Sequence, residues 1–191
     1  MKMRHIIVFA SGSGTNAENL IRHFNDGGLA EISAVFCNKP DAGVVAKAEA
    51  RDVPVFIFSK EMLYDGTVLR EVMTYQPDLI VLAGFLLKFP EEIIRNYPGK
   101  IINIHPALLP KYGGKGMYGM HIHRAVYNNK EMETGISVHY VNENYDEGGL
   151  ILQKNVDISD CASAEAIAAK IHRLEQEHFP KAIEQILNLN P

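Results

Sequence analysis

An asparagine and a histidine two positions apart are the residues of this chain best suited to chemistry. Asn103 and His105 lie in the apolar stretch Ile101–Pro106. Because side chains alternate between the two faces of a strand, both would point to the same side, opposite Ile102 and Ile104. An amide donor beside an imidazolium can stabilise the oxyanion of an acyl-transfer intermediate. The spacing leaves a second interpretation open, in which both side chains only hydrogen-bond to loop backbone.

The sequence offers no nucleophile to work with this pair. The motif Gly-x-Ser-x-Gly is absent, and neither Cys37 nor Cys161 lies in a setting that would activate a thiol. The chemistry would then be direct attack by an amine of the substrate, with no covalent intermediate on the protein. Asp146 lies in the turn-like segment 142–149, and by itself it is typical of an ordinary turn aspartate.

A glycine-rich segment after the first apolar run is the candidate ligand loop. Gly12, Gly14 and Ala17 match the dinucleotide fingerprint G-x-G-x-x-G/A. A nicotinamide dinucleotide site also needs an acidic residue near the end of the second strand, but residues 36–39 carry no carboxylate. The loop instead suits one phosphate monoester, held by backbone N–H groups at a helix N-terminus. The alternative is a plain tight turn in which Thr15 caps the helix.

Apolar runs of strand length alternate with helix-like stretches through the first half of the chain. This order predicts a Rossmann-like α/β fold, a mostly parallel twisted sheet with right-handed crossovers and helices on both faces. Pro54 places the third strand at an edge or a strand start. The predicted strands are His5–Ala10, Ile32–Cys37, Val53–Phe58, Asp78–Ala83 and Lys100–Ile104, and the predicted helices are Thr15–Asn25, Ala42–Arg51, Glu61–Tyr75 and Pro90–Asn96.

The second half of the chain has a different pattern. A long loop over Pro106–Met120, rich in glycine, precedes a short predicted helix. Loops of this length in a compact domain are usually functional or mobile. Two strands joined by a turn are then predicted to pair antiparallel, and a terminal helix follows, bent near Pro180. These elements are His121–Asn128, Thr134–Val141, Leu150–Ile158 and Ala162–Asn188.

Length and composition favour a single domain, residues 1–191, and argue against several functions. The net charge is −4 and no basic stripe is visible, so nucleic acid is not expected as a partner. The two cysteines have no nearby cysteine partner, which gives a disulfide or zinc-finger framework little support and fits a reducing cytoplasm. No stretch approaches the roughly 20 apolar residues of a membrane span, and no signal peptide or metal site is expected.

From about His5 to Pro180 the chain closely resembles the phosphoribosylglycinamide formyltransferase family. Asn-Ile-His-Pro and Asp-x-Gly segments are shared across folate-dependent formyltransferases, and the Ser-Gly-x-Gly-x-Asn loop favours the glycinamide ribonucleotide enzymes among them. The segments that carry the resemblance are 11–16, 35–39, 77–85, 103–112, 139–146 and 176–178.

The resemblance implies two small-molecule substrates, glycinamide ribonucleotide and 10-formyltetrahydrofolate. Gly14, Thr15 and Asn16 in the N-terminal half would hold the ribonucleotide phosphate, and Glu177 would bind the ribose hydroxyls. From the residues alone, Glu177 is also typical of a solvated helix carboxylate. The oligomeric state is not determined by the sequence, and a homodimer stays open.

The resemblance places the folate site and catalysis in the C-terminal half. The folate-binding residues would be Leu86, Leu87, Lys88, Phe89, Asn103, Val141 and Asp146, with Lys60 meeting the folate glutamate tail or serving as an ordinary surface lysine.

The resemblance also implies that Asn103, His105 and Asp146 are catalytic. Asn103 and protonated His105 would stabilise the oxyanion, and Asp146 would keep His105 charged. The reaction would form formylglycinamide ribonucleotide and tetrahydrofolate in purine synthesis.

The segment Gly113–Gly119 is longer than in shorter-looped members of this family, which suggests an altered or mobile lid. His121 and His123 are two positions apart, about 200° around a helix, which argues against a shared metal. The resemblance also suggests a cis peptide bond between Leu109 and Pro110.

Three alternatives stay open. The first is another folate-dependent formyltransferase or a deformylase. A methionyl-tRNA formyltransferase or a formyltetrahydrofolate deformylase would carry a further domain, and a sugar-nucleotide formyltransferase would bind a diphosphate, for which the short glycine loop gives no special support. The second is a binding module that holds a nucleotide or folate without catalysis. The third is a nicotinamide-dependent reductase, against which the missing ribose-binding acid argues.

Overall fold

The structure, a computed structural model, describes residues 3–27, 30–144 and 146–189 and confirms the predicted α/β fold. Within these residues, no helix combines the length and apolarity needed to cross a membrane. The strands are β1 (Arg4–Ala10), β2 (Ala30–Cys37), β3 (Val55–Ile57), β4 (Leu79–Leu82), β5 (Ile101–His105), β6 (Glu133–Tyr140) and β7 (Leu150–Asp157). The helices are α1 (Thr15–Asn25), α2 (Gly43–Glu49), α3 (Lys60–Tyr64), α4 (Thr67–Tyr75), α5 (Glu91–Asn96), α6 (Met120–Asn128) and α7 (Ala164–Leu189).

All the strands form one seven-stranded sheet in the order β3-β2-β1-β4-β5-β6-β7. Strands β1 to β5 are parallel to one another, whereas β6 runs antiparallel to β5 and β7 antiparallel to β6. The predicted edge position of β3 and the antiparallel C-terminal pair are therefore confirmed. The β5–β6 register places Asn103 opposite His139 and His105 opposite Ser137.

The sheet has an apolar core on each of its faces, as its doubly buried strands require. Along β1, Ile6 and Val8 pack into one core and Ile7 and Phe9 into the other. Buried side chains of α1, α2, α6 and α7 fill the first core, and those of α3, α4 and α5 fill the second. The polar pair of β5 is an exception to this apolar pattern, because Asn103 and His105 share a face with Ile101 and not with Ile102.

One predicted helix is two helices in the structure. The apolar spacing over Glu61–Tyr75 predicts a single helix, but α3 and α4 are separated at Gly66, whose φ is 84°. A residue in this left-handed conformation cannot continue a right-handed helix. Asp65 stabilises the break, because its Oδ1 accepts a hydrogen bond of 2.8 Å from the backbone N–H of Thr67. Glycine within an apolar helical pattern was the available signal for this break.

Strand order reverses at β1, which lies between β2 and β4, and such a switch point opens a crevice at the carboxyl ends of the strands. Ser11, just after β1, forms hydrogen bonds to the segments around this crevice. Its backbone N–H donates to Gly84 O at 3.1 Å, and its hydroxyl donates to Asn38 Oδ1 at 2.7 Å. The same hydroxyl accepts a bond of 3.0 Å from the backbone N–H of Leu86. One side chain therefore positions the glycine loop relative to the segment after β4.

Gly14 is required for the shape of the glycine loop. Its φ is 71°, and an added Cβ would lie 2.4 Å from the Cβ of Val44 on α2. We expect Gly14→Ala to lower the free energy of unfolding by about 2 kcal/mol or more, from the strained φ and the clash together. Urea unfolding measures the change.

Gly12→Ala is the matched control for stability, since nothing lies within 4 Å of a Cβ added at Gly12. A Gly14→Ala protein as stable as the Gly12→Ala protein would contradict this account of the loop.

Candidate active site

Two neighbouring cavities occupy the crevice at the carboxyl ends of the strands. The first cavity, about 410 Å³, is lined by the end of β5, the segment after β4, residues 114–118, residues 141–144 and Asp146. The second cavity, about 520 Å³, is lined by the glycine loop, α6 and α7. The two share a boundary, so a molecule in one can reach a molecule in the other. The shared residues are Gly84, Leu86, Ile104, Pro106 and Tyr118.

His105 is a buried wall residue of the first cavity, with 4% of its surface exposed. Its Nε2 lies 2.8 Å from the backbone carbonyl of Tyr112, which can only accept, so Nε2 carries the proton of that hydrogen bond. Its Nδ1 faces Oδ1 of Asp146 at 3.6 Å. The structure therefore brings together the histidine and the aspartate that the sequence could not place near each other.

Asp146 is held between two imidazoles and a backbone amide. Its Oδ2 accepts a hydrogen bond of 2.9 Å from the backbone N–H of Gly114, and its Oδ1 lies 3.5 Å from Nε2 of His139. The backbone of Asp146 has a φ of 56°, an uncommon conformation that aspartate tolerates better than most residues. This turn aims the carboxylate back toward the end of β5.

Asn103 completes the cluster and binds a histidine that the sequence analysis did not single out. Its Nδ2 lies 3.1 Å from Nε2 of His139, whose Nδ1 lies 2.8 Å from the carbonyl of Tyr140. With Nδ1 donating to that carbonyl, Nε2 can accept a hydrogen bond from one amide N–H of Asn103. The second amide N–H of Asn103 is then left for a ligand. The only sequence signal for His139 was its place in the segment 139–146, because the β5–β6 register cannot be deduced from spacing.

Burial and a neighbouring carboxylate act in opposite directions on the pKa of His105. Desolvation lowers this pKa, whereas Asp146 and the carbonyl of Tyr112 raise it. Asp146 therefore acts in the predicted direction, toward the imidazolium, and the depth of the imidazole acts against it. Burial would by itself raise the pKa of Asp146, but the adjacent imidazoles of His139 and His105 and the backbone N–H of Gly114 lower it below its usual value.

The segment after β4 lines the first cavity as predicted. Leu86, Leu87, Lys88 and Phe89 are wall residues, and Val141 faces them from the end of β6. Phe89 is also a core residue, because its ring packs edge-on against Phe9 with 5.0 Å between centroids.

Lys60 is the one predicted folate residue that the structure does not bring to the cavity. It is exposed at the first position of α3, and it is absent from the described residues that line the first cavity. The alternative interpretation, an ordinary surface lysine, agrees with this placement. Lys88 and Lys115 are the lysines that border the cavity.

The glycine loop and α7 form opposite walls of the second cavity. Gly14, Thr15 and Asn16 all line it, and Gly14 rather than Thr15 is the N-cap of α1. No side chain caps α1, so its first-turn N–H groups stay available for an anion. Nδ2 of Asn16 donates to Oε2 of Glu175 at 3.0 Å, which joins the loop to α7.

Glu177, the predicted ribose-binding residue, is not among the described residues that line this cavity, whereas Glu175 is. The Glu177 side chain is 62% exposed and pairs with Lys181 at 3.4 Å, whereas Glu175 is 9% exposed and lines the second cavity. Residues two apart on a helix point in directions about 200° apart, so only one of the two carboxylates can face the loop.

The glycine-rich segment after β5 borders both cavities. Gly114, Lys115, Gly116 and Met117 line the first cavity, and Tyr118 lies at the shared boundary. The Leu109–Pro110 bond is cis.

The two histidines of α6 diverge, as their spacing predicts. His121 is exposed, and its ring packs edge-on against the ring of Tyr118 with 5.2 Å between centroids. His123 is buried. In the part of the chain that the structure describes, no group of three or more His, Cys, Asp or Glu residues is placed to hold a metal ion.

Comparison with known proteins shows what the chain is similar to. Residues 4–183 match the model of the family described as formyl transferase. The phosphoribosylglycinamide formyltransferase of Bacillus subtilis is 34% identical over 98% of this chain and 97% of its own length. The enzyme of the same name from Escherichia coli is 33% identical over 94% of this chain and 85% of its own length.

A crystal structure of glycinamide ribonucleotide transformylase 1 from Geobacillus kaustophilus has a similar fold. It superimposes with a TM-score of 0.88 at 35% identity and covers 97% of this chain and 100% of its own.

The interaction between Asp146 and His105 can be measured directly. Because a nearby carboxylate favours the imidazolium, we expect Asp146→Asn to lower the pKa of His105 further. NMR titration of the His105 ring should give a pKa below the ordinary histidine value in the unsubstituted protein and a still lower one in the variant.

Glu143→Gln is the control, since Glu143 lines the same cavity but does not pair with His105. A His105 pKa above the ordinary value, or one that rises on loss of the carboxylate, would contradict the geometry described above.

Proposed function

The chain belongs to the formyl transferase family, and we propose that it transfers the formyl group of 10-formyltetrahydrofolate to the amine of glycinamide ribonucleotide. The observation that carries the proposal is the convergence of Asn103, His105 and Asp146 where two ligand-sized cavities meet. Acyl transfer needs hydrogen-bond donors for an oxyanion at the place where the two substrates meet. It also needs the formyl group and the attacking amine to be held on either side of that place.

We assign the second cavity to the ribonucleotide. The glycine loop and the N-terminus of α1 offer backbone N–H groups to the phosphate. Glu175, on the opposite wall, offers carboxylate oxygens to the ribose hydroxyls, and its bond to Asn16 holds it in place. A phosphate at the loop then directs the other end of the molecule toward the boundary between the cavities.

We assign the first cavity to the formyl folate. Its walls combine apolar side chains, including Leu86, Leu87 and Val141, with backbone groups that can bind a flat heteroaromatic ring. The carbonyl of Lys88 is already occupied by the hydroxyl of Tyr64 at 2.8 Å, which fixes the path of the segment. The formyl carbon would lie beside Asn103 and His105, within reach of an amine from the second cavity.

The proposed reaction is direct attack of the amine nitrogen on the formyl carbon. The oxygen gains negative charge as the new C–N bond forms, and the free amide N–H of Asn103 and the Nδ1–H of a protonated His105 stabilise it. Although burial lowers the pKa of His105 in the free protein, the developing oxyanion and Asp146 both favour its imidazolium. The bond from carbon to the folate nitrogen then breaks, and the proton lost by the amine reaches that nitrogen through a water held by Asp146.

We place this reaction in the cytoplasm, with the two small molecules as its partners. Cys37 and Cys161 are both free thiols, as a reducing compartment allows.

Incubation of the purified protein with glycinamide ribonucleotide and 10-formyltetrahydrofolate tests the proposal. We expect release of tetrahydrofolate, seen by absorbance, and a formyl mass gain on the nucleotide. Asn103→Ala, His105→Ala and Asp146→Asn should each reduce kcat steeply, roughly 100- to 1,000-fold for the loss of an oxyanion donor and most for Asp146.

Lys60→Ala is the control for these variants, because Lys60 lies outside both cavities and should keep the kcat and both KM values of the unsubstituted protein. Near-normal turnover in all three site variants would refute the mechanism, and no formyl transfer by the unsubstituted protein would refute the function.

A matched pair of carboxylates tests the assignment of the second cavity. Glu175→Gln should raise KM for glycinamide ribonucleotide about tenfold, because a charged hydrogen bond to the ribose becomes neutral. Glu177→Gln, two positions along α7 and exposed, should leave that KM unchanged. Steady-state kinetics at saturating folate distinguishes the two variants, and the reverse pattern would show that Glu177 is the ribose ligand.

A further inference from the structure

Two buried polar side-chain atoms in the described part of the chain have no hydrogen-bond partner. They are Oδ1 of Asn16 and Nδ1 of His123. Both residues line the second cavity, Asn16 from α1 and His123 from α6. Buried polar atoms without a partner are uncommon because each costs desolvation free energy. Two of them in one cavity indicate that a ligand supplies the missing hydrogen bonds.

His123 lies in the wall of the second cavity, near charged or titratable groups of two other elements. It is 7% exposed, and Glu175 on α7 and His105 on β5 both influence its pKa. Burial lowers the pKa of His123, with Glu175 acting against this effect and His105 adding to it. The ring is therefore neutral near pH 7 and provides one N–H donor and one nitrogen acceptor.

The second cavity has a directional polarity that fits one kind of ligand. Hydrogen-bond donors lie at the glycine loop, where the backbone N–H groups of α1 begin. Acceptors lie further along, in Oδ1 of Asn16, the carboxylate of Glu175 and the imidazole of His123. A matching ligand has an anion at one end and several O–H or N–H groups toward the other. Glycinamide ribonucleotide has this order of groups.

We propose that His123 is a substrate-binding residue that hydrogen-bonds the glycinamide part of the acceptor, beyond the ribose and before the reacting amine. The inference rests on the proposed function, because it identifies the ligand by that reaction. In this role His123 aligns the amine of the acceptor with the formyl carbon beside His105. This role explains why Nδ1 of His123 has no hydrogen-bond partner in the protein without substrate.

Two substitutions separate this role from a structural one. His123→Leu removes both ring nitrogens at similar size, and His123→Asn keeps a polar group at the position of Nδ1. With His123→Leu we expect KM for glycinamide ribonucleotide to rise about tenfold, the effect of losing one hydrogen bond. KM for 10-formyltetrahydrofolate should stay the same, and His123→Asn should restore the acceptor KM to within about threefold.

Thermal unfolding of the ligand-free protein gives the second readout. Since Nδ1 has no partner to lose, His123→Leu should have a Tm no lower than that of the unsubstituted protein. A histidine kept for packing or structural hydrogen bonding would give the opposite result, with a lower Tm and a change in both KM values.

His121→Leu is the control, because His121 is on the same helix, exposed and outside the second cavity. It should change neither KM. An unchanged acceptor KM in His123→Leu, or no recovery in His123→Asn, would overturn the inference while formyl transfer by the unsubstituted protein leaves the proposed function intact. Absence of formyl transfer in the unsubstituted protein would overturn both.

Discussion

A half-buried carboxylate shared by two imidazoles is the interaction on which the site depends. Asp146 lies within 3.6 Å of His105 and 3.5 Å of His139, and its other oxygen is bonded to a backbone amide. Burial alone would favour the protonated form of this carboxylate, whereas the N–H of Gly114 and the nearby imidazoles favour the ionised form. The turn that carries it, the loop that contains Gly114 and the two strands that carry the histidines are therefore fixed relative to one another by one charged group.

The sheet supplies the rigidity that this cluster requires. The polar pair of β5 lies next to β6, and the antiparallel register puts His139 against Asn103. Both histidines are almost fully buried, so their ring positions are determined by packing and by their backbone carbonyl partners. Pre-organised donors of this kind stabilise a developing charge without first reorganising around it. Residues 114–118 and 142–144, which belong to loops, line the first cavity beside this cluster.

Much of the fold follows from local patterns, and less of the site does. Strands such as β1 were found because continuous apolar runs bounded by glycine are typical of buried parallel strands. Glu175 was missed in favour of Glu177 because the rotation of α7 about its axis depends on packing against α1 and β6, which a sequence does not specify. His139 was missed because strand register is a property of the pair of strands. The effect of burial on the pKa of His105 could not be predicted, because burial depth is a property of the whole fold.

The bond between Asn16 and Glu175 joins positions 159 residues apart and closes the second cavity between α1 and α7. During synthesis on the ribosome α1 emerges long before α7, so the second cavity lacks one wall until α7 has been made. The side chains of the Asp146 cluster belong to residues 103, 105, 139 and 146, all of which precede α7 in the chain. The second cavity is thus completed after this cluster, when α7 docks on the sheet.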